Sequence, residues 1–228
     1  MVIEEELVRR WQRGWSAARG LAAADEVEGG LRIRCEQPSR EVEVLALHAD
    51  QDPGSVAGLA EDVAADPLYS WLTVPTHHPD RVAATVEAAG LQVLLRSESL
   101  MLSDLAQHPS CPLAAPYRSE LRQDGPVLTV TLHHPDSSEP AARGTVAVVG
   151  ADAIADRIET VPAHRRRGLG RALMSLLVEA ARTAGAETGL LIASTEGRQL
   201  YTSLGWQHYA DVVVSHAPEK RPGGVREG

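Results

Sequence analysis

Apolar residues in this chain recur first at helical and then at strand spacing, and the alternation of the two sets out a mixed α/β protein. Leu7, Trp11, Trp15 and Ala18 fall at i, i+4, i+8 and i+11, so residues 2–22 are predicted as an amphipathic helix. The segment EVEVLALH then alternates as a strand does, and GSVAGLAEDVAA returns to helical spacing. YSWLTV is strand-like, PDRVAATVEAAG is a helix closed by Gly90, and LQVLLRSESLML is again a strand. A first lobe over 1–105 follows.

Residues 106–116 carry Pro109, Pro112 and Pro116 with little periodicity, which places the boundary between lobes there. Beyond it VLTVTLH, GTVAVVG and ADRIET are close enough in sequence to form an antiparallel meander, with a short turn at 150–152. The order then changes to helix (169–184), strand (189–193), helix (196–204) and a last strand near 208–215. This second lobe spans 117–217, and the tail 218–228 has the composition of a disordered end.

With 228 residues, 43% of them apolar, the chain can bury a core without staples. Cys35 and Cys111 lie far apart in sequence and fit no zinc-ligand spacing, which suits a reducing compartment. The first residues are charged throughout and nowhere do 18 apolar residues run together, so a cytoplasmic protein without membrane contact is expected. The formal charge of −9 argues against broad nucleic-acid or anionic-membrane binding.

Locally the sign reverses. From His164 to Arg182 there are five arginines and one carboxylate, Glu179. In the helix that follows, Leu169, Ala172, Leu173, Leu176, Leu177, Ala180 and Ala181 form one apolar face, and Gly185 suits the left-handed position beyond its end. Gly168 and Gly170 at its start remove side chains from the unpaired amides of the first turn, where an ordinary helix would carry Asp or Glu. Arg165, Arg166, Arg167 and Arg171 stand there instead, so the segment is a candidate anion site. It lacks the GK[ST] of a nucleotide P-loop, and Leu173 stands where a dinucleotide fingerprint needs its third glycine.

What the segment resembles is motif A of the GCN5-related N-acetyltransferases (GNAT), Q/R-x-x-G-x-G/A, here Arg165, Gly168 and Gly170 after IETVPAH. The likeness continues through the helix, GLLIAST and GRQLYTSLGW. It implies the GNAT fold, in which the amides of Arg165, Arg166, Arg167, Gly168, Leu169, Gly170 and Arg171 bind the pyrophosphate of acetyl-coenzyme A. The strand edge at Thr160 and Val161 would pair with the pantetheine arm. Ser194 stands where the family often has asparagine, and Trp206 where phenylalanine is frequent.

The same resemblance implies transfer of the acetyl group to a primary amine by direct attack, with acetyl-coenzyme A as co-substrate and no metal. Tyr201 by this match protonates the leaving thiolate, although Gly197, Leu200, Tyr201 and Leu204 also share one helix face and would place it in the core. Asp156 and Glu159 are the candidate bases; either equally suits an ordinary polar strand position or a site for the cationic amine. A non-catalytic acyl-coenzyme A binding module is the competing reading. The tetrapeptide HHPD, at 77–80 and 133–136, reads as exposed turns.

A complete GNAT fold has a strand and two helices before its meander, and here only about ten residues separate the linker from the first meander strand. Residues 69–102 loosely resemble the second half of the same fold without its phosphate motif, so two GNAT-like lobes are expected, the first degenerate. A small-molecule or peptide amine is the expected partner, and the tryptophans of the first helix leave a homodimer contact open.

Overall fold

Helix α1 (Glu5–Arg19) buries the stripe predicted for it, with Leu7, Trp11 and Trp15 inward. A computed structural model describes residues 3–94 and 98–218 of the chain. Within them the chain divides into two units, one comprising 3–5, 22–94 and 211–218, the other 6–21 and 98–210.

The first unit opens with an antiparallel meander, β1 (Asp25–Val27), β2 (Gly30–Gln37) and β3 (Arg40–Ala46). Helix α2 (Pro53–Ala65) crosses over to β4 (Ser70–Thr76), which lies parallel to β3, and α3 (Pro79–Ala88) leads to the short β5 (Gln92–Val93). Alternate residues of β3 and β4, Val42, Val44, Leu72 and Val74, meet Val56, Leu59 and Val63 of α2 in its core. The tail expected from 218 falls, beyond Pro218, outside the described residues, as do 95–97 of the strand expected over 91–102.

The second unit repeats that order. After β6 (Glu98–Asp104) come the meander strands β7 (Arg118–Asp124), β8 (Val127–His133), β9 (Pro140–Val149) and β10 (Asp152–Thr160). Helix α4 (Leu169–Thr183) crosses to β11 (Thr188–Ala193), parallel to β10, and α5 (Thr195–Ser203) leads to β12 (Gln207–His216). Its core gathers Leu128, Val130 and Leu132 of β8 with Leu169, Leu173 and Leu177 of α4. Meander, helix, parallel strand, helix and strand thus occur twice, and the first copy begins at β1, earlier than residue 69.

The two copies exchange their last strands. β6 follows the first copy in sequence but pairs antiparallel with β11, Leu100 opposite Ile192. Residues 211–216 of β12 pair antiparallel with β4 of the first unit, Val213 opposite Val74. A division at 106–116 therefore differs from the division of the folded chain, which is discontinuous.

Helix α1 belongs with the second unit. Gly14 lies directly on Ile154 of β10, where a Cβ would collide with the isoleucine side chain. Arg10 makes a two-point pair with Asp152, its Nε donating to Oδ2 at 2.8 Å and its Nη2 to Oδ1. Arg19 grips Asp156 in the same way. The segment between β6 and β8 holds the 3-10 turn Leu105–Gln107 and β7, so α1 covers β10 from the other end of the sequence.

Candidate active site in the second unit

β10 and β11 register with each other at three positions only, from Asp152 opposite Thr188 to Ile154 opposite Leu190. β10 then continues to Thr160 along β9, with a bulge between Asp156 and Glu159 where Arg157 takes φ 53°. Gly144 of β9 makes the bulge possible, since a Cβ there would come within 2.6 Å of Ile158 Cδ1. The bulge and the loss of the parallel partner open a groove along the far edge of β10.

At the end of that edge the backbone prepares an uncapped helix start. A 3-10 turn at Pro162–His164 leads to Arg166 at φ 59° and to Gly168, the N-cap of α4, at φ 78°. The left-handed conformation at Gly168 is one a side chain would strain. Having no side chain, Gly168 cannot cap the helix; its carbonyl accepts from Arg171 N and Ala172 N, both at 3.1 Å, and the amides of Leu169 and Gly170 lie before that first bond. Gly170 has a packing reason too, because a Cβ there would come within 3.0 Å of Leu200 Cδ2.

The groove has a volume of about 810 Å³ and is lined by residues 155–160, Arg165, Arg166, Gly168 to Arg171, Ser194 and Tyr201. Most of the residues singled out in the sequence are thereby brought together. Two are not. Val161 N–H donates to Ala141 O at 3.0 Å, so it is committed to β9. Because that makes Val161 and Ala141 a hydrogen-bonded pair, Thr160 opposite Ala142 is a non-hydrogen-bonded one, and the Thr160 amide and carbonyl face the groove. Arg167 points elsewhere, with Nη1 3.4 Å from the Tyr117 hydroxyl.

Two of the other arginines are held by their neighbours. Arg165 Nε donates to Thr160 O at 3.1 Å, and Arg171 Nη1 to Ser203 Oγ at 3.1 Å, which fixes both at the mouth. Ser194 is the N-cap of α5, its Oγ accepting from Gly197 N at 3.2 Å. It thereby caps the helix that carries Tyr201.

Tyr201 belongs to the core and also borders the groove. It is 8% exposed and packs with Trp206, ring centroids 6.1 Å apart, yet it lines the groove. Burial, and then the charge of Asp156, push its phenol up to about 12. Asp156 is differently placed from a free base. Both carboxylate oxygens accept from Arg19, at 2.8 and 3.0 Å, with the two side chains 18% and 13% exposed, and the guanidinium lies 4.8 Å over the Trp15 ring. Glu159 is exposed on the groove wall.

Sequence reasoning passed over two features. Arg10 and Arg19 carry no signal for their partners, which lie 142 and 137 residues away. The second HHPD is more than an exposed turn: the His134 ring stands 5.1 Å from Tyr117 and 5.6 Å from His164, and the Tyr117 hydroxyl is 2.8 Å from His164 Nδ1. This aromatic cluster braces the turn that enters the arginine loop. Among the described residues no group of three His, Cys, Asp or Glu side chains is placed to hold a metal ion. No helix there is long and apolar enough to cross a membrane.

Residues 135–208 match the acetyltransferase (GNAT) domain family. No curated protein matches the chain in sequence. Among solved structures, a GCN5-related N-acetyltransferase from Kribbella flavida superposes with a TM-score of 0.71 at 14% identity, covering 96% of this chain and 97% of that one. A GCN5-related N-acetyltransferase from Sphaerobacter thermophilus gives 0.62 at 13% identity, over 96% and 86%. A tandem GNAT protein from the clavulanic acid biosynthesis pathway gives 0.57 at 13% identity, over 84% and 79%. At these identities the likeness is one of fold, and it extends to the repeated order of elements described above. Residues 135–208 thus resemble the GNAT acetyltransferase domain, within a chain whose mixed α/β fold is similar to two-lobed GNAT structures over most of its length.

Proposed function

We propose that the groove binds acetyl-coenzyme A and that the second unit transfers its acetyl group to a primary amine. The observation that carries this reading is the continuity of one groove from the outward edge of β10 to the uncapped N-terminus of α4. An extended amide arm suits the first part, and a pyrophosphate suits the second, where amides of Leu169 and Gly170 and the side chains of Arg165, Arg166 and Arg171 converge. The macrodipole alone contributes roughly 0.3–1 kcal/mol at an exposed helix end, so the aligned donors and arginines carry most of the affinity.

Acetyl-coenzyme A supplies an activated thioester. The nitrogen–carbon bond forms as the carbon–sulfur bond breaks, and the proton lost by nitrogen balances the one gained by sulfur. On this reading Thr160 N–H, facing the groove, is the donor to the carbonyl oxygen. With its phenol pushed up to about 12, Tyr201 stays protonated at neutral pH and donates a hydrogen bond to the departing sulfur. Complete proton transfer to a thiolate of ordinary basicity, near about 8.5, is uphill by roughly 5 kcal/mol, so solvent completes that protonation. Asp156 is spent on Arg19 and acts through charge; Glu159 and water at the groove mouth take the proton of the amine.

Calorimetric titration with acetyl-coenzyme A, with NAD as control dinucleotide, followed by thiol release across a panel of amines, tests the proposal. Micromolar binding selective for acetyl-coenzyme A, with turnover of at least one amine, is expected. Selective binding without turnover on any amine would leave a binding module, and absence of binding would overturn the whole reading.

A further inference from the structure

The edge strand of the second unit is exposed along its whole length. β7 ends the strand order β11–β10–β9–β8–β7, and all seven of its residues are exposed. A row of backbone donors and acceptors along such an edge is a template for another strand. Its sequence, Arg118-Ser119-Glu120-Leu121-Arg122-Gln123-Asp124, is complementary to its own reverse. Laid antiparallel against a second copy about Leu121, it sets Arg118 opposite Asp124, Ser119 opposite Gln123, Glu120 opposite Arg122 and Leu121 opposite Leu121.

We infer that two copies of this chain pair through β7, about a two-fold axis passing between the two Leu121 residues. Any antiparallel strand pair that is centred on one residue has this symmetry, the isologous contact of a C2 dimer. The strand's own pleat sorts the contact. Ser119, Leu121 and Gln123 face a 520 Å³ apolar groove under α4, floored by Leu128, Val130, Leu176 and Ala180. The four charged residues alternate with them and so lie on the opposite face, where Glu120 Oε2 is 3.7 Å from His133 Nε2.

Leu121 is 55% exposed, the one large apolar side chain so exposed among the described residues. In the pair it meets its own symmetry mate beside the apolar groove, while every charge on the other face lies opposite one of the other sign. Protection of an edge against indiscriminate pairing asks only for charge; it does not ask that acids and bases be arranged in self-complementary order. The seven residues span about 23 Å of strand, long enough for all their pairs to form at once.

The test uses the full chain and sedimentation analysis. Wild type is expected to dimerise, and Glu120→Arg and Arg122→Glu, each setting like charges opposite one another, to weaken the dimer at least tenfold. Mixing the two variants restores opposite charges at both positions, so the mixture regains a dimer, identified by native mass spectrometry as containing one of each. The double variant Glu120→Arg/Arg122→Glu restores them within one sequence and is expected to dimerise by itself, which keeps the test decisive if a single variant folds poorly. A monomeric wild type, dimers unaffected by either single change, or a monomeric double variant with wild-type melting behaviour would each overturn the inference.

Discussion

The junction between a meander strand and its crossover helix occurs twice in this chain, and the two junctions have opposite chemistry. Between β3 and α2, Asp52 caps the helix, its carboxylate accepting from Gly54 N at 3.1 Å and its carbonyl from Ser55 N at 3.1 Å. Pro53, next in line, has no N–H to offer. That helix start is closed by the protein's own anion. Between β10 and α4 the cap is a left-handed glycine without a side chain, and arginines replace the acids. The fold supplies a helix N-terminus in both places. A single residue at the cap decides whether its amides are satisfied from within or remain for a ligand.

Reversing that difference has the largest expected effect. Gly168→Glu puts a carboxylate at the mouth of the groove and a side chain on backbone at φ 78°, and should weaken acetyl-coenzyme A binding by more than about 10³-fold, or roughly 4 kcal/mol. Asp52→Ala is its counterpart: it should cost the first unit about 1 kcal/mol of stability, from the lost cap, and leave acetyl-coenzyme A affinity unchanged. Isothermal titration and chemical denaturation of both variants check the pair. If Asp52→Ala also altered binding, the contrast between the junctions would fail.

Loss of one donor at the reacting end ranks second. Tyr201→Phe keeps the ring packed against Trp206 and removes only the hydroxyl, so kcat should fall by about 10²–10³-fold with little change in cofactor affinity. Steady-state kinetics with the best amine of the panel separates the two quantities. An unchanged kcat would make Tyr201 a core residue that happens to line the groove.

How much of this was legible in the sequence follows the range of the forces involved. Helices α2 to α5 and the strands that alternate cleanly were readable, because each is set by local periodicity and by caps such as Gly90 and Gly185. The loop of arginines and glycines before α4 was readable too, being one contiguous segment. β7 was not, since its one apolar residue, Leu121, gives no alternation; only the Asp124-Gly125 turn marks its end. The strand exchange and the placement of α1 against β10 were invisible for a different reason. They depend on pairings over a hundred residues apart, and an arginine such as Arg19 does not announce which carboxylate it will meet. For the same reason the pairing of Asp156, a candidate base, with Arg19 could not be read from the sequence.

The smallest effect separates the two units by pH. In the first, burial raises Asp66, but the Leu68 amide, the Arg32 guanidinium and the Ser70 hydroxyl outweigh it and hold the carboxyl below its ordinary value. A lowered acid stabilises the folded state above its unfolded pKa, and that contribution fades as pH falls through the folded value, below about 4. In the second unit the direction is reversed. Tyr201, raised from 10.0 to about 12, stabilises fully below pH 10 and loses its contribution as pH climbs toward 12. A rise of that size in a buried phenol corresponds to on the order of 3 kcal/mol. Trp71 reports on the first unit and Trp206 on the second, so single-tryptophan variants can follow each separately. Acid should perturb Trp71 first and alkali Trp206 first, with Asp66→Asn removing the former dependence and Tyr201→Phe the latter. Simultaneous transitions of both probes at both ends of the scale would mean that these two groups do not set the pH limits of their units.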